Sequence, residues 1–127
     1  MRRILIVEDS PSMRALVTVA LEGLPTAVDT TAVVSGLEAL RCLHGEHFDL
    51  IVTDINMPDI NGLELLSFVK NSEPHRSIPI VIISTEGSER DREKGLGLGA
   101  DAYLVKPFEP DALRQIAQDL LAKSPAE

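Results

Sequence analysis

Cysteine is almost missing from this sequence: Cys42 stands alone among 127 residues, so an internal disulfide is excluded. Aromatic residues make up only 3%, which leaves little to stack on a flavin or a base and disfavours a ring-binding cofactor site. Cations are outnumbered, 12 against 20 acids, and the formal charge of -8 repels phosphate backbones and anionic membranes. Direct nucleic-acid binding is therefore disfavoured. No apolar run is long enough to cross a bilayer, and no charged-then-apolar leader follows Met1, so a soluble, cytoplasmic protein without membrane attachment is expected. Repeats and low-complexity segments are absent too. The length suits one packed domain and leaves no room for a separate output domain.

What is present is a regular alternation. Short apolar runs at residues 4–7, 50–52, 80–83 and 103–105, with a weaker one at 27–33, are too short for helices and too continuous for half-exposed strands. They read as buried parallel strands, separated by helical patterns. A first helix is expected over Pro11–Glu22, with Ser10 as N-cap and Met13, Leu16, Val17, Ala20, Leu21 and Leu24 as its apolar stripe. Others are expected after Ser35 (Ala39, Leu40 and Leu43 inward), from Asn61 (Leu65, Leu66 and Val69), and over Pro110–Lys123 (Leu113, Ile116, Ala117, Leu120 and Leu121). The pattern at 88–98 is charged and carries Gly95 and Gly97, each costing a helix interior about 1 kcal/mol relative to alanine, so a short or malleable helix is expected there. This is an α/β architecture: an open, doubly wound five-stranded parallel sheet with five helices on its two faces.

In such sheets a ligand binds outside the carboxyl ends of the strands. Residues 48–66, FDLIVTDINMPDINGLELL, organise that edge, because an apolar strand hands a single acid, Asp54, to a turn. The first strand brings Glu8 and Asp9, the fourth Ser84, Thr85 and Glu86, the fifth Lys106. Three carboxylates at one edge repel one another unless a cation sits between them. An all-oxygen set without histidine or cysteine favours a hard ion such as Mg²⁺, whose shell a phosphate can complete. Lys106 would add an ammonium and Ser84 a hydroxyl, both aimed at phosphate oxygens. Electrostatic stabilisation of this kind is the main protein contribution to phosphoryl transfer.

Glu8-Asp9, Asp54 in DINMPDING, Ser84 in IISTEG and Lys106-Pro107-Phe108, in this order and spacing, closely resemble the CheY-like receiver domain of two-component response regulators. The resemblance covers essentially the whole chain. It implies a flavodoxin-like fold with strand order 2-1-3-4-5, a receiver domain over residues 1–123, and a flexible tail or linker start at 124–127. It also implies that Asp54 is the phosphoacceptor and that Mg²⁺ is held by Asp9, Asp54 and the Asn56 backbone carbonyl, with Glu8 acting through a metal-bound water. By the same resemblance Lys106 pairs with Asp54 and then with phosphate, Ser84 shifts to bond a phosphate oxygen, and Tyr103 turns inward as the switch aromatic. Asn56 and Glu86 match positions that tune dephosphorylation, and Lys106-Pro107 matches a cis peptide. The implied partners are a histidine kinase or phosphotransfer protein and a downstream target on the face of the fourth helix, fifth strand and fifth helix, with the chain a monomer or a phosphorylation-dependent dimer.

Simpler readings stand beside these. A lone Asp after a strand is usually a turn or cap residue, Glu8 can serve the first helix's dipole, Tyr103 can be ordinary strand packing, and Thr85 is an alternative hydroxyl to Ser84. His44, His47 and His75 are scattered in polar surroundings and read as surface residues. Among other functions, an aspartyl phosphatase usually places its nucleophile and a second acid after the first strand, whereas Asp54 follows the third. A flavodoxin-like binder needs a phosphate loop where Glu8 and Asp9 would repel the ligand. A pseudo-receiver working without phosphate fits an intact acid and lysine set poorly. The polar, glycine-bearing fourth helix departs from chemotaxis-type receivers and points to an output partner other than a flagellar motor.

Overall fold

The computed structural model describes residues 1–123; the expected tail at 124–127 lies outside them. The elements run β1 (Arg2–Val7), α1 (Pro11–Glu22), β2 (Val28–Val33), α2 (Gly36–Gly45), β3 (Leu50–Asp54), α3 (Gly62–Asn71), β4 (Ile80–Ser84), α4 (Glu89–Gly97), β5 (Ala102–Val105) and α5 (Pro110–Lys123). All strand pairings are parallel and the order is β2-β1-β3-β4-β5, as the resemblance implies. No helix among the described residues is long and apolar enough to cross a membrane.

Strand alternation divides the core in two. Leu5, Val7, Ile51, Ile80 and Ile82 face Leu43, Leu65, Leu66 and Val69 of α2 and α3. Ile4, Ile6, Leu50, Val52, Val81 and Ile83 face Val17, Leu21, Leu113, Ala117 and Leu121 of α1 and α5. Both faces of the central strands are thus sealed, which is why their sequences read as unbroken apolar runs. Leu16 departs from the expected stripe at 36% exposure, because it projects about 100° from Val17 around the helix, at the margin of the buried face.

Side chains start the helices where expected. Ser10, Ser35, Asn61 and Ser88 each accept from an amide in the first turn of their helix, and Asn61 with Glu64 forms a reciprocal capping box. The fourth helix is short, at nine residues, and Gly95 is buried in it with a defined purpose: a Cβ there would come within 2.9 Å of the Tyr103 ring. Two strands extend further than their apolar runs. Asp54 pairs with Ile83, and Ser84 with Val105, so both are last rungs of the ladder and not loop residues.

The chain departs from β1 towards β2 on one side, and β3 lies on the other. Loops after β1 and β3 consequently diverge, opening a crevice at their carboxyl ends. Residues 55–61, between β3 and α3, close back on themselves: the Gly62 amide donates to the Ile55 carbonyl at 2.8 Å. A Cβ on Gly62 would lie 2.1 Å from the Asp54 carbonyl oxygen, so only glycine lets α3 start so close to the acid-bearing strand. Gly62→Ala is expected to cost about 1–3 kcal/mol through forced displacement of packed backbone. Urea unfolding measures this, and an unchanged midpoint would show that the contact relaxes freely.

Candidate functional site: an acidic crevice with one lysine

Glu8, Asp54, Ser84 and Lys106 occupy or directly follow the carboxyl ends of the four neighbouring strands β1, β3, β4 and β5. Glu8 is fully buried; its Oε1 accepts from Lys106 Nζ at 2.9 Å and its Oε2 from the Ser10 amide at 3.1 Å. The same ammonium lies 3.4 Å from Asp54 Oδ2. Asp54 Oδ1 accepts from the Ile55 amide at 2.8 Å, and its side chain keeps 8% exposure. Asp9 is exposed beside them, and one oxygen from each of Glu8, Asp9 and Asp54 lies within 4.8 Å of the others.

Three carboxylates against one ammonium leave a formal surplus of two negative charges. The donors are all oxygen, as a hard divalent cation requires, and the surplus matches its charge. These residues fit Mg²⁺. Lys106 is ion-paired with Asp54, as the resemblance implies, and lies closer still to Glu8, the carboxylate without solvent contact and so with more need of a counter-charge.

Burial raises the Glu8 carboxyl above the usual range, and the Asp54 charge adds to this; the bonds from Lys106 and Ser10 offset it only in part. For Lys106, burial pulls downward, yet the hydrogen bond to Glu8 and the charges of Asp54 and Glu8 prevail and its pKa is raised. The ammonium is therefore firmly charged at neutral pH.

Ser84 is fully buried and its Oγ accepts from the Glu86 amide at 2.9 Å, whereas neighbouring Thr85 is exposed. Tyr103 faces inward at 3% exposure and donates to the Glu86 carbonyl at 2.6 Å, while its own carbonyl accepts from Arg92 Nη1 at 3.0 Å. Burial pushes the Tyr103 phenol up, with the Ser84 hydroxyl pulling the other way. The Lys106–Pro107 peptide is cis. Asn56 and Glu86, in the segments that follow β3 and β4, are exposed. Of the histidines, His44 and His47 are exposed, and His75 is half-buried, sharing hydrogen bonds with Ser72 Oγ and the Leu43 carbonyl, with none of them at the acidic crevice.

The sequence reading missed the braces. Arg14 reaches back from α1 to donate to the Glu8 carbonyl at 2.9 Å and the Asp9 carbonyl at 3.4 Å, fixing the turn that carries both acids. Its only sequence signal is a cation about one turn into the helix after the acidic pair. Arg92 lies in the charged pattern at 88–98, where nothing local marks a bond to a strand carbonyl eleven residues on.

Comparison with known proteins agrees with this geometry. The family model for the response regulator receiver domain matches residues 4–118. The chain is 33% identical over 126 residues to the chemotaxis protein CheY homolog of Campylobacter jejuni subsp. jejuni, covering 98% of this chain and 96% of that protein. It is 42% identical over 89 residues to the "Probable transcriptional regulator ycf29" of Pyropia yezoensis, where the match covers 70% of this chain but only 40% of that protein. Among solved structures, the chemotaxis response regulator CheY4 of Vibrio cholerae superposes with a TM-score of 0.83 at 34% identity, covering 94% of this chain and 98% of that one. The chain belongs to the response regulator receiver domain family, whose general function is to accept a phosphoryl group in two-component signalling.

Linkage makes the Glu8 environment testable. A carboxyl whose pKa rises on folding leaves the folded state holding the extra proton, so Glu8 subtracts stability as pH climbs from about 4.3 through its raised value. In metal-free protein, the urea stability of wild type relative to Glu8→Gln should fall across that window. Wild-type stability that instead rises with pH relative to Glu8→Gln would mean that pairing with Lys106, and not burial, dominates Glu8. Lys106 acts at the other end of the scale: its raised pKa contributes stability below about 10.4 that is lost as pH passes its folded value.

Proposed function

We propose that Asp54 is the phosphoacceptor of this receiver domain. The observation that carries the reading is one ammonium, Lys106, held 2.9 Å from Glu8 and 3.4 Å from Asp54 at the sheet's point of reversal. An Asp54 carboxylate oxygen attacks the phosphorus of a phosphohistidine or small acyl phosphate. The phosphorus–oxygen bond forms as the bond to the donor's leaving atom breaks, giving an acyl phosphate. Lys106 balances charge on the transferred group, and the Ser84 hydroxyl donates to one of its oxygens. Asp9, Asp54 and the Asn56 backbone carbonyl would hold Mg²⁺, with Glu8 in an indirect supporting role, and the ion when bound would neutralise charge on phosphoryl oxygens. In autodephosphorylation water attacks the same phosphorus: the new phosphorus–oxygen bond forms as the bond to the Asp54 oxygen breaks, the water's proton passes to the departing inorganic phosphate or solvent, and the carboxylate is restored, with Asn56 and Glu86 controlling the approach of water.

Ser84 and Tyr103 form the switch. A tenfold bias between two conformations needs only about 1.4 kcal/mol, within the range of one charge-assisted hydrogen bond. The domain unit is residues 1–123, working in the cytoplasm with a histidine kinase or phosphotransfer protein as donor, as a monomer or a phosphorylation-dependent dimer. Output leaves through α4, β5 and α5, where Leu96, Leu98 and Val105 are 37%, 40% and 36% exposed.

Incubation with a small acyl phosphate should add one phosphoryl group per chain by intact mass. Chelating Mg²⁺ or substituting Asp54→Ala should abolish the addition, and undiminished labelling of that variant refutes the assignment. For the output face, titrating a captured target with and without a phosphoryl mimic should give a phosphorylation-sensitive contact that Leu96→Glu or Leu98→Glu weakens. A sensitive partner bound solely to the α1 face would sink that part.

A further inference from the structure

The loop at residues 55–61 is pinned at a second point, far from its closed base. Asp59 is exposed, yet its carboxylate accepts three backbone amides: Ile60 at 2.6 Å, Leu37 at 3.1 Å and Gly36 at 3.2 Å. Gly36 and Leu37 are the first two residues of α2, whose amides have no partner within a helix. The helix already has its own cap, because Ser35 Oγ accepts from the Glu38 amide at 3.2 Å. Asp59 is a second cap, supplied from another loop. Gly36 permits the close approach: a Cβ there would lie 2.5 Å from the Ile60 carbonyl oxygen. The amide of Ile60, with those of Leu37 and others, holds the Asp59 carboxyl below its usual value, so it stays charged against the positive end of α2.

We infer that Asp59 is a positioning residue for the acceptor loop: by tying residues 59–60 to the start of α2, it holds Asn56 where its backbone carbonyl can serve the cation site. Asp54 does not depend on this tie, since it is buried in β3 with its Oδ1 on the Ile55 amide. The loop between the two anchors does. Gly62 fixes one end against Asp54 and Asp59 fixes the other against α2, so the segment between them, with Asn56 exposed and Met57 half-buried against the core, is held between these supports. The inference rests on the proposed role of Asn56, and its test separates the two.

Amide hydrogen exchange on metal-free protein and Mg²⁺ titration by amide chemical shift test it, using wild type, Asp59→Ala and Asp59→Asn. In Asp59→Ala, exchange across 55–61 should accelerate about tenfold, beyond the local change at Gly36 and Leu37. The Mg²⁺ concentration at half-saturation should rise about tenfold, the low end of the effect of residues that orient metal ligands without touching the metal. Asp59→Asn keeps one accepting oxygen and should fall between the two. Faster exchange confined to Gly36 and Leu37, with 55–61 and the Mg²⁺ midpoint unchanged, would reduce Asp59 to a helix cap and overturn the inference. A loosened loop with an unchanged Mg²⁺ midpoint would overturn it too, because Asn56 would then not be the group positioned. Should Asp54→Ala still be labelled by acyl phosphate, the proposed function fails, whatever the exchange pattern.

Discussion

Crowding of like charge at the reversal of the sheet is the constraint on which this structure turns. Glu8, Asp9 and Asp54 are driven together by strand order, and backbone amides of Ser10 and Ile55 together with Lys106 supply their internal compensation. A buried carboxylate is tolerable only with such partners. The surplus that remains makes the crevice receptive to a cation, and through it to a phosphoryl group. The braces follow from the same need: Arg14 on the turn after β1, and the closed loop after β3, keep the acids at a separation that repulsion alone would widen.

Much of this is legible in the sequence because chemistry and strand pattern coincide. Each of these crevice residues lies at the end of an apolar run, so locating the strands also located Asp54, Ser84 and Lys106. Glu8 was legible as a site residue, though its pairing was not: whether one lysine sits nearer Glu8 or Asp54 depends on relative burial, which neighbouring letters do not encode. Leu16 shows the same limit in a helix, where periodicity finds the buried stripe but not its width.

Close approach was the larger omission. Gly36, Gly62 and Gly95 each admit a neighbour that a methyl group would strike, and the neighbours come from other elements. Gly95 is the clearest case. Read locally, it weakens α4; read with Tyr103, it makes room for a ring whose hydroxyl and carbonyl are both held. The cost in helix propensity, about 1 kcal/mol, is the condition for seating an aromatic residue under that helix. Asp59 was passed over for a related reason, since an exposed acid in a turn carries no local sign of the amides it accepts from another helix.

The Lys106 amide donates to the Ser84 carbonyl at 2.7 Å, extending the ladder by one more bond. The backbones bearing the hydroxyl and the ammonium are therefore one mechanical piece. Two groups that face the same crevice cannot be brought to it separately by sliding strands, so freedom of movement is confined to side-chain torsions and to the segment after Ser84. That segment is tied to Tyr103 through the Glu86 carbonyl, and Tyr103 to α4 through Arg92. With the Glu86 amide bonded to Ser84 Oγ, an unbroken run of hydrogen bonds leads from the hydroxyl at the crevice through Glu86 and Tyr103 to Arg92 on the helix.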